Sequence, residues 1–373
     1  MRETAKILRL GIVGCGGAAE QLHLPALRRV RGIEVSALSD SNTERLERVA
    51  ARFGVARRYT DYRALIESDE VDAVAVCVPP QSHAEIALAA LGADKHVLIE
   101  KPLALSLDEC DQLQARSAAH AKLKVMVGFN LRWHRLARGA KEIIRRRELG
   151  DIKLVRSVFT SGARLRDDFA EWRKQQQSGG GALFELGVHH FDLLRFLFER
   201  EIEEVYASSL SQDETAIVAA RLNGETHIVA AFSEGTGENH ELEIYGERGW
   251  LRLSFYRADG LEQFTAEQRA GSLQSRARGL ARTLLQAPRI IRQARRGGDF
   301  RASYAEEWRH FAMAIALDAP VACGLMDGRR ALEVALAAWE ASATKRTVRP
   351  RPATELESAD DCRAHEVARS GGS

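Results

Sequence analysis

One lysine of this chain stands where a β-sheet would present it to a ligand. The apolar run 97–99 is typical of a buried parallel strand, and Glu100, Lys101 and Pro102 follow it. Ligands of open α/β sheets bind outside the carboxyl ends of the strands. The amine of Lys101 can therefore reach a substrate hydroxyl, and Pro102 fixes φ and can hold a cis bond that aims the amine. The alternative is a surface Glu-Lys pair before a loop proline.

A histidine lies in a second segment, 179–192, which begins with three glycines and continues with helical periodicity. Glu185 and His189 are four residues apart, so an α-helix would place both on one face, with Asp192 three residues further on. A histidine exchanges protons near neutral pH, and a carboxylate one turn away can orient it. A core histidine or a metal pair are the alternatives, although no further ligand cluster is visible. His190 points roughly 100° away and is interpreted as structural.

A glycine loop near the start can bind the phosphates of a dinucleotide. The predicted strand 7–13 leads directly into G-x-G-x-x-A at residues 14–19, in the strand–turn–helix setting that this pattern needs. Gly14 permits the tight turn, Gly16 lets the backbone approach a pyrophosphate, and Ala19 allows close helix–strand packing. The start of the helix then faces the phosphates with its partial positive charge.

Asp40 bears on the choice of dinucleotide. It follows the predicted strand 33–38, and an acid there can accept hydrogen bonds from the adenosine ribose hydroxyls and repel a 2′-phosphate. Residues 41–43 offer no cation, and Arg45 is the nearest residue that could offset the charge. We therefore expect NAD rather than NADP. The alternative for Asp40 is an acid at a helix N-terminus.

The elements that must position these residues alternate between strands and helices. The predicted elements are helix 44–53, strand 73–78, a helix from a capping box at Ser82 to Gly92, strand 97–99, a helix opened by a second box at Ser106, and strand 124–129. This alternation predicts an α/β fold with a doubly wound parallel sheet, whose strand ends converge on one crevice. We assign it to a Rossmann dinucleotide-binding domain, 1–130.

The pattern changes after a predicted helix over 136–147. The predicted strands are 153–159, 215–222, 226–232, 241–245 and 250–255, and the predicted helices are 304–317, opened by a box at Ser303, and 330–343. Asn223-Gly224 is a strong hairpin signal. Successive strands with little helix between them predict a large, mostly antiparallel open sheet in an α+β domain, 131–350. Residues 351–373 are polar and expected to be disordered.

The composition excludes several classes of protein. A net charge of +2, with 45% hydrophobic and 28% charged residues, suits a globular protein and carries no overall signature of nucleic-acid binding. The five cysteines are widely spaced, which argues for a reducing compartment and against a disulfide framework or zinc site. We see no signal peptide and no apolar run long enough to span a membrane, so the expected location is the cytoplasm.

In combination, these motifs resemble the Gfo/Idh/MocA family of NAD(P)-dependent oxidoreductases, from roughly Leu8 to Pro350. The matching pieces are the glycine loop with His23-Leu24-Pro25-Ala26-Leu27 behind it, Val78-Pro79-Pro80-Gln81-Ser82-His83, Glu100-Lys101-Pro102, Gly128-Phe129-Asn130-Leu131-Arg132, Trp172-Arg173 and the glycine-led histidine segment. The resemblance implies that Lys101 and His189 flank the nicotinamide and that the open sheet joins subunits of a dimer or tetramer. The family usually carries aspartate at the position of Glu185, so the carboxylate here is longer by one methylene.

The predicted reaction moves a hydride between the nicotinamide and a secondary alcohol or ketone of a sugar, cyclitol or nucleotide sugar. In it, His189 takes the hydroxyl proton, Lys101 polarises the oxygen, and Glu185 orients His189 or binds substrate. The alternatives are an NAD-dependent oxidation–elimination glycosidase and a non-catalytic nucleotide or sugar sensor; retention of Lys101 and His189 disfavours the sensor.

The sequence predicts two further sets of contacts and no metal. The expected cofactor contacts are Gly14, Gly16, Gly17, Ala18, Asp40, Pro79, His83, Glu100 and Lys101. The expected substrate wall is Asn130, Arg132, Arg164, Trp172 and Arg173.

The segment 269–298 has no counterpart in the family pattern. It holds eight arginines and no acidic residue, shows apolar residues at helical spacing, and is interrupted by Pro288. The simplest hypothesis is an arm packed on its own domain or on a sister subunit. A basic helix can also lie on an anionic membrane or cap a pocket for a phosphorylated substrate, and of these two we favour the cap.

Overall fold

A computed structural model of the chain describes residues 7–167, 169–210, 213–267 and 298–351, and between the last two ranges only residues 281, 284, 285, 287 and 288. The hypotheses about the basic arm at 269–298, and the expectation for 351–373, concern segments that lie almost wholly outside the described residues.

Parallel strands form the first sheet. They are β1 (Leu8–Val13), β2 (Ile33–Ser39), β3 (Arg57–Tyr59), β4 (Ala73–Val76), β5 (His96–Ile99) and β6 (Val125–Val127). Their order is β3-β2-β1-β4-β5-β6. The central strand β4 is buried at every position, which is why it reads as an apolar run. The predicted doubly wound parallel sheet is confirmed. Strand β3 was not predicted, because Arg57 and Arg58 give it no apolar signal.

Helices connect these strands. They are α1 (Leu24–Leu27), α2 (Thr43–Phe53), α3 (Tyr62–Ile66), α4 (His83–Gly92) and α5 (Leu107–Ala119). The capping box at Ser106 is confirmed, with the Ser106 hydroxyl accepting from the Glu109 amide and the Glu109 carboxylate accepting from the Ser106 amide.

Two other predicted capping boxes are wrong. The Ser82 side chain makes no cap hydrogen bond, and Glu85 instead accepts from Tyr62 and Arg63 of α3. Ser303 lies inside a helix that already begins at Gly298, and its hydroxyl donates to the Phe300 carbonyl. Ser303 also accepts from Asn130, so in both places a residue from elsewhere in the chain competes with the local motif.

The second sheet is mostly antiparallel, as predicted. Its strands among the described residues are β7 (Ile152–Thr160), β8 (Ile202–Ser209), β9 (Thr215–Leu222), β10 (Thr226–Ser233), β11 (Asn239–Gly246), β12 (Gly249–Ser254) and β13 (Leu261–Thr265). Their order is β13-β12-β11-β7-β10-β9-β8, and only the central pair β7–β10 is parallel. The Asn223-Gly224 hairpin between β9 and β10 is confirmed, with Gly224 at φ +97°. Strands β8 and β13 were not predicted.

The second half of the chain also carries helices. They are α6 (Arg135–Arg145), α7 (Val188–Phe198), α8 (Gly298–Ala316) and α9 (Leu325–Thr344). Helix α9 packs on β8 and α7 and, on its other side, on α5 and β6. It approaches so closely that a Cβ on Gly328 would lie 2.8 Å from the Cβ of Leu103. This packing brings the segment after β5, which carries Lys101, against the second half of the chain. No helix in the described part is long and apolar enough to cross a membrane.

Candidate active site

Lys101 follows the buried strand β5 and points toward the second half of the chain. Its Nζ donates hydrogen bonds to the main-chain carbonyl of Glu185 at 3.1 Å and to Glu185 Oε2 at 3.2 Å. The peptide bond between Lys101 and Pro102 is cis. The lysine and the histidine segment, which the sequence suggested separately, are therefore in direct contact.

Glu100 anchors the backbone of Lys101. Its Oε2 accepts from the Lys101 amide at 3.0 Å, and its Oε1 accepts from His23 Nε2 at 2.7 Å. Trp308 Nε1 donates to His23 Nδ1 at 3.1 Å, so the proton of His23 lies on Nε2. Burial opposes ionisation of Glu100, but the hydrogen bond from His23 and the charge of Lys101 bring its pKa down to about 2. The Glu100 carboxylate thus positions the site, and both of its oxygens are engaged by protein groups rather than free for a cofactor.

The predicted α-helical pairing of Glu185 with His189 is wrong. The residues Leu183–Gly187 form a π-helical turn that continues into α7, and a π-turn changes which side chains lie above one another. Glu185 Oε2 contacts Lys101 and also Arg173 Nη2, the latter at 3.1 Å. His189 Nδ1 has no hydrogen-bond partner among the described residues. Glu185 therefore holds Lys101 and does not orient His189.

Two aromatic rings flank the imidazole of His189 instead. The ring centroids of Phe129 and Phe159 lie 6.1 and 6.3 Å from it. Burial and the charge of Lys101 hold the pKa of His189 well below its usual value. The imidazole is consequently neutral near pH 7, which is the form that accepts a proton.

His190, interpreted as structural, lies in the core. Its Nδ1 is hydrogen-bonded to the Ser157 hydroxyl, and its Nε2 shares a 2.8 Å hydrogen bond with His240 Nε2. Its ring stacks on Phe159 with centroids 5.4 Å apart. Burial lowers the pKa of His190 to about 3, so this residue does not exchange protons at neutral pH.

Arg132 and Asp192 form a buried ion pair, which bears on the expectation that Arg132 lines a substrate wall. Arg132 donates to both oxygens of Asp192 at 2.8 and 2.6 Å, and also to Asp327 and the Ala322 carbonyl. With its guanidinium committed to these buried partners, Arg132 joins α7 to α9 and is not part of a substrate wall. Both Asp192 oxygens are likewise occupied by Arg132.

The remaining substrate candidates divide into two groups. Asn130 is fully buried, and its Nδ2 donates to Ser303 at 3.0 Å, so this side chain belongs to the core. Trp172 and Arg173 lie in the short 3-10 turn Glu171–Lys174 and are partly buried. Arg164 is also partly buried, and its amide donates to the Glu234 carbonyl at 3.0 Å. Of these, Arg173 contacts both Glu185 and Glu234, and Arg164 contacts Glu234.

Glu234 is a site residue that sequence reasoning missed. It follows β10 directly and is fully buried, and its Oε1 accepts from Arg173 Nη2 at 3.1 Å. Because the same Nη2 also bonds Glu185, Arg173 bridges the two carboxylates. Burial, together with the negative charge of Glu185, raises the pKa of Glu234 to about 7. The sequence did carry a signal for Glu234, namely a charged residue directly after an apolar strand. The same position after a strand identified Lys101.

The glycine loop has the shape that a dinucleotide needs. Gly14 has φ +95°, and a Cβ there would lie 2.4 Å from the Cys77 carbonyl oxygen, so only glycine fits. A Cβ on Gly16 or Gly17 would meet nothing within 4 Å, which leaves their outer side open to a ligand. Helical structure begins at Gly17 and Ala18, where free backbone amides favour an anion. These residues fit a pyrophosphate.

Asp40 does not present a bare negative charge. Its carboxylate accepts from the backbone amides of Cys15 and Asn42 and from Arg45 Nε and Nη2, at 2.7 to 2.8 Å. Burial opposes ionisation, but these hydrogen bonds keep the pKa of Asp40 below its usual value. Arg45, five residues further on, thus sits on the carboxylate and offsets the charge that a 2′-phosphate would meet.

His83 joins two strand ends rather than facing a cofactor. Its ring nitrogens lie 2.9 Å from the Val78 carbonyl oxygen and 2.7 Å from the Pro102 carbonyl oxygen, and the residue is buried. It therefore ties the segment that contains Pro79 to the turn after Lys101. The described residues contain no group of three or more His, Cys, Asp or Glu side chains placed to hold a metal ion.

Comparisons with known proteins match nearly the whole chain. Residues 8–129 match a family model described as an oxidoreductase family, NAD-binding Rossmann fold, and residues 141–349 match its C-terminal alpha/beta domain. A myo-inositol 2-dehydrogenase of Thermotoga maritima is 27% identical over 354 residues, which are 92% of this chain and 98% of the relative. A dTDP-3,4-didehydro-2,6-dideoxy-alpha-D-glucose 3-reductase of Actinomadura kijaniata is 35% identical over 258 residues, 67% of this chain and 76% of the relative.

A solved structure agrees in fold. It is a scyllo-inositol dehydrogenase from Lactobacillus casei with bound NAD(H) and scyllo-inositol, 23% identical, with a TM-score of 0.73 over 92% of this chain and 99% of that one. At this level of identity the likeness establishes the shared architecture. The assignment to a family follows from the two family models and the relatives above.

Proposed function

The chain belongs to the Gfo/Idh/MocA family of oxidoreductases, which use a nicotinamide cofactor, and from this premise we propose that it oxidises a secondary alcohol of a cyclitol or sugar with NAD, or reduces the matching ketone. The observation that carries the proposal is the meeting of Lys101, from the first sheet, with the Glu185–His189 segment, from the second half of the chain. This contact brings the cation Lys101 and the segment that carries the neutral base His189 together beside the carboxyl end of β5.

The two side chains divide the work on the substrate oxygen. His189 accepts the hydroxyl proton during oxidation, since its depressed pKa keeps it neutral. Lys101 donates to the same oxygen and stabilises negative charge that develops on it. The nicotinamide ring, when bound, supplies the carbon that takes or gives the hydride. Proton and hydride leave the alcohol together as a ketone forms, and both return in the reverse direction.

The cofactor lies along the glycine loop in this proposal. Gly14, Gly16, Gly17 and Ala18 receive the pyrophosphate, and Pro79 borders the crevice from the end of β4. Asp40 favours NAD, as its position suggested, but the margin over NADP depends on Arg45, which neutralises it. His83 and Glu100 support the site through the backbone.

Cyclitols and sugars are proposed as substrates because the relatives are named for inositol and for a deoxysugar nucleotide. Arg164, Trp172 and Arg173 are the proposed wall on the substrate side. We propose that residues 1–130 form the dinucleotide-binding domain and residues 131–350 the substrate domain.

A screen of nicotinamide absorbance tests the function. Cyclitols, free sugars and nucleotide sugars are offered with NAD and with NADP, and the expected result is net formation of the reduced cofactor with at least one polyol. Wild-type protein is compared with Lys101→Met, which should be inactive. Glycoside cleavage without accumulation of reduced cofactor would instead favour the oxidation–elimination reaction, and binding without any turnover would favour a sensor.

We also propose a homo-oligomer in a reducing compartment such as the cytoplasm. The face of the second sheet that is not covered by α7 and α9 exposes Tyr206, Ile217 and Val229, and a protein surface of this kind commonly marks an interface. The cysteines of the described part are buried free thiols, which suits a reducing environment.

A further inference from the structure

Glu234 is connected to the proposed catalytic Lys101 through two residues, Arg173 and Glu185. Its Oε1 accepts from Arg173 Nη2, the same nitrogen donates to Glu185 Oε2, and Glu185 Oε2 in turn accepts from Lys101 Nζ. The separations along this chain of contacts are 3.1, 3.1 and 3.2 Å. A change at Glu234 therefore reaches the lysine through two shared hydrogen-bonding groups.

The environment of Glu234 leaves its carboxyl incompletely paired. The residue is fully buried, and its Oε2 has no hydrogen-bond partner among the described residues. A buried carboxylate needs hydrogen bonds or charge to stay ionised, and here one nitrogen must serve two carboxylates. The charged groups that face Glu234 from the surrounding segments are Glu185, Arg173, Lys101 and Arg164, and Glu214 lies against the neighbouring Gly235.

We propose that Glu234 is a positioning residue that acts through Arg173 and Glu185 on Lys101, and that gain or loss of its proton sets the charge of the site during turnover. This inference rests on the proposed function. It also offers a role for the longer side chain at position 185, since Glu185 contacts Lys101 and Arg173 at once.

The charge balance gives the direction of the effect. With Glu234 ionised, the two acids balance Lys101 and Arg173, and the site accepts the substrate proton more readily. With Glu234 protonated, the same four groups carry one net positive charge, which disfavours proton uptake by His189 and favours proton delivery. Oxidation of an alcohol is thus faster when Glu234 is ionised, and reduction of a ketone when it is protonated. Because the pKa of Glu234 is raised to about 7, this exchange falls in the neutral range.

The first test is the pH profile of kcat/KM for polyol oxidation. Wild-type protein should show a rise in kcat/KM through neutral pH, whereas Glu234→Gln should stay at the low-pH level. If the pKa of His189 falls by about one unit in Glu234→Gln, kcat at pH 8 should be about tenfold lower than in wild type. The Kd for NAD should be unchanged. Glu238→Gln is the matched control, since this acid lies four residues further along, is 59% exposed and pairs with Arg166. The control should keep the wild-type profile.

Glu234→Asp provides the conservative variant. It keeps an ionisable group but withdraws it by one methylene from Arg173, so the rise should persist at a higher pH. If Glu234→Gln retains the wild-type rise, the inference is wrong. If Glu234→Gln does not fold, an unshifted profile in Glu234→Asp would overturn it equally.

A second measurement separates this inference from the proposed function, because it needs no substrate. A carboxyl with a raised pKa in the folded protein stabilises the fold at low pH and loses that contribution as pH rises through the folded pKa. The Tm of wild-type protein should therefore fall relative to that of Glu234→Gln between pH 5 and pH 8. A wild type that turns over no polyol would overturn the proposed function, whereas a Tm difference independent of pH would overturn the inference about Glu234.

Discussion

Lys101 is joined to Glu185 twice, through the Glu185 carboxylate at 3.2 Å and through its main-chain carbonyl at 3.1 Å. The two residues are 84 positions apart in the sequence; Lys101 follows strand β5, and Glu185 lies in the π-helical turn Leu183–Gly187. The second bond does not depend on the side chain at position 185. The amine thus keeps one anchor even when the carboxylate is exchanged.

Lys101→Met should abolish turnover and leave NAD binding unchanged, because the amine acts on the substrate oxygen and not on the dinucleotide. The expected result is no detectable hydride transfer, together with a titration of NAD binding that matches that of wild type. Lys95→Met is a suitable control, since that lysine donates to the Ser68 and Val71 carbonyls at the other end of β5. Activity above about a tenth of wild type, a loss under roughly 1.4 kcal/mol of barrier, would refute the role of Lys101.

Arg45→Ala should increase the preference for NAD over NADP. Removal of the guanidinium leaves the Asp40 carboxylate unopposed, so a 2′-phosphate meets net negative charge, and we expect about a tenfold drop in kcat/KM for NADP relative to NAD. Arg48→Ala is the control, because Arg48 lies on the same helix as Arg45 but pairs with Glu20 instead of Asp40. An unchanged ratio of the two specificity constants in Arg45→Ala would show that this ion pair does not discriminate.

His189→Ala and His190→Ala should separate activity from stability. Loss of His189 removes the proton acceptor from a partly buried position, so turnover should nearly vanish with little change in Tm. Loss of His190 removes the partner of Ser157 and His240 from the core, which should cost about 2–4 kcal/mol of unfolding free energy. Steady-state rates and urea unfolding measure the two effects. If His190→Ala loses turnover while His189→Ala mainly loses stability, the proton acceptor is misidentified.

Acidification should destabilise the fold through His190. Burial lowers the pKa of His190 from 6.5 to about 3, so the unfolded chain binds the proton more readily than the folded protein. Stability is full above the unfolded pKa and is lost as pH falls toward the folded value, by about 1.4 kcal/mol per pH unit for one such group. Urea unfolding at pH 7 and pH 5 should show a smaller pH dependence in His190→Phe than in wild type. His120→Phe, at the C-terminal end of α5, is the control and should retain the wild-type dependence. If His190→Phe and His120→Phe show the same pH dependence, the role of His190 is wrong.

Ile217→Lys and Val229→Lys should dissociate the proposed homo-oligomer. These residues lie on adjacent strands β9 and β10 and are 58% and 47% exposed, and a lysine there would place buried charge in a sheet-to-sheet interface. Sedimentation velocity should report a smaller species for each variant. Leu317→Lys is the control, because that leucine is 70% exposed just beyond the end of α8. A wild-type monomer at micromolar concentration would contradict the assembly.

Local patterns predicted much of the backbone. The buried strands of the first sheet, the capping box at Ser106 and the Asn223-Gly224 hairpin were found because each depends on neighbouring residues alone. The boxes at Ser82 and Ser303 failed for the complementary reason, since Glu85 accepts from Tyr62 and the Ser303 hydroxyl accepts from Asn130, both far away in the chain. Arg132 was misplaced in the same way, because an exposed arginine and one buried against Asp192 read alike in sequence.

By itself, then, the sequence determined the glycine loop, the parallel sheet and the presence of Lys101 and His189 at element ends. These follow from hydrophobic period, from the conformational freedom of glycine and from turn chemistry, all of which act over a few residues. Only the tertiary structure decided what the charged side chains contact. The π-helical turn at Leu183–Gly187 moved Glu185 from His189 to Lys101, and the end of β10 brought in Glu234 through Arg173. Such contacts join residues far apart in the chain, and their geometry is set by how the two sheets and α9 pack together.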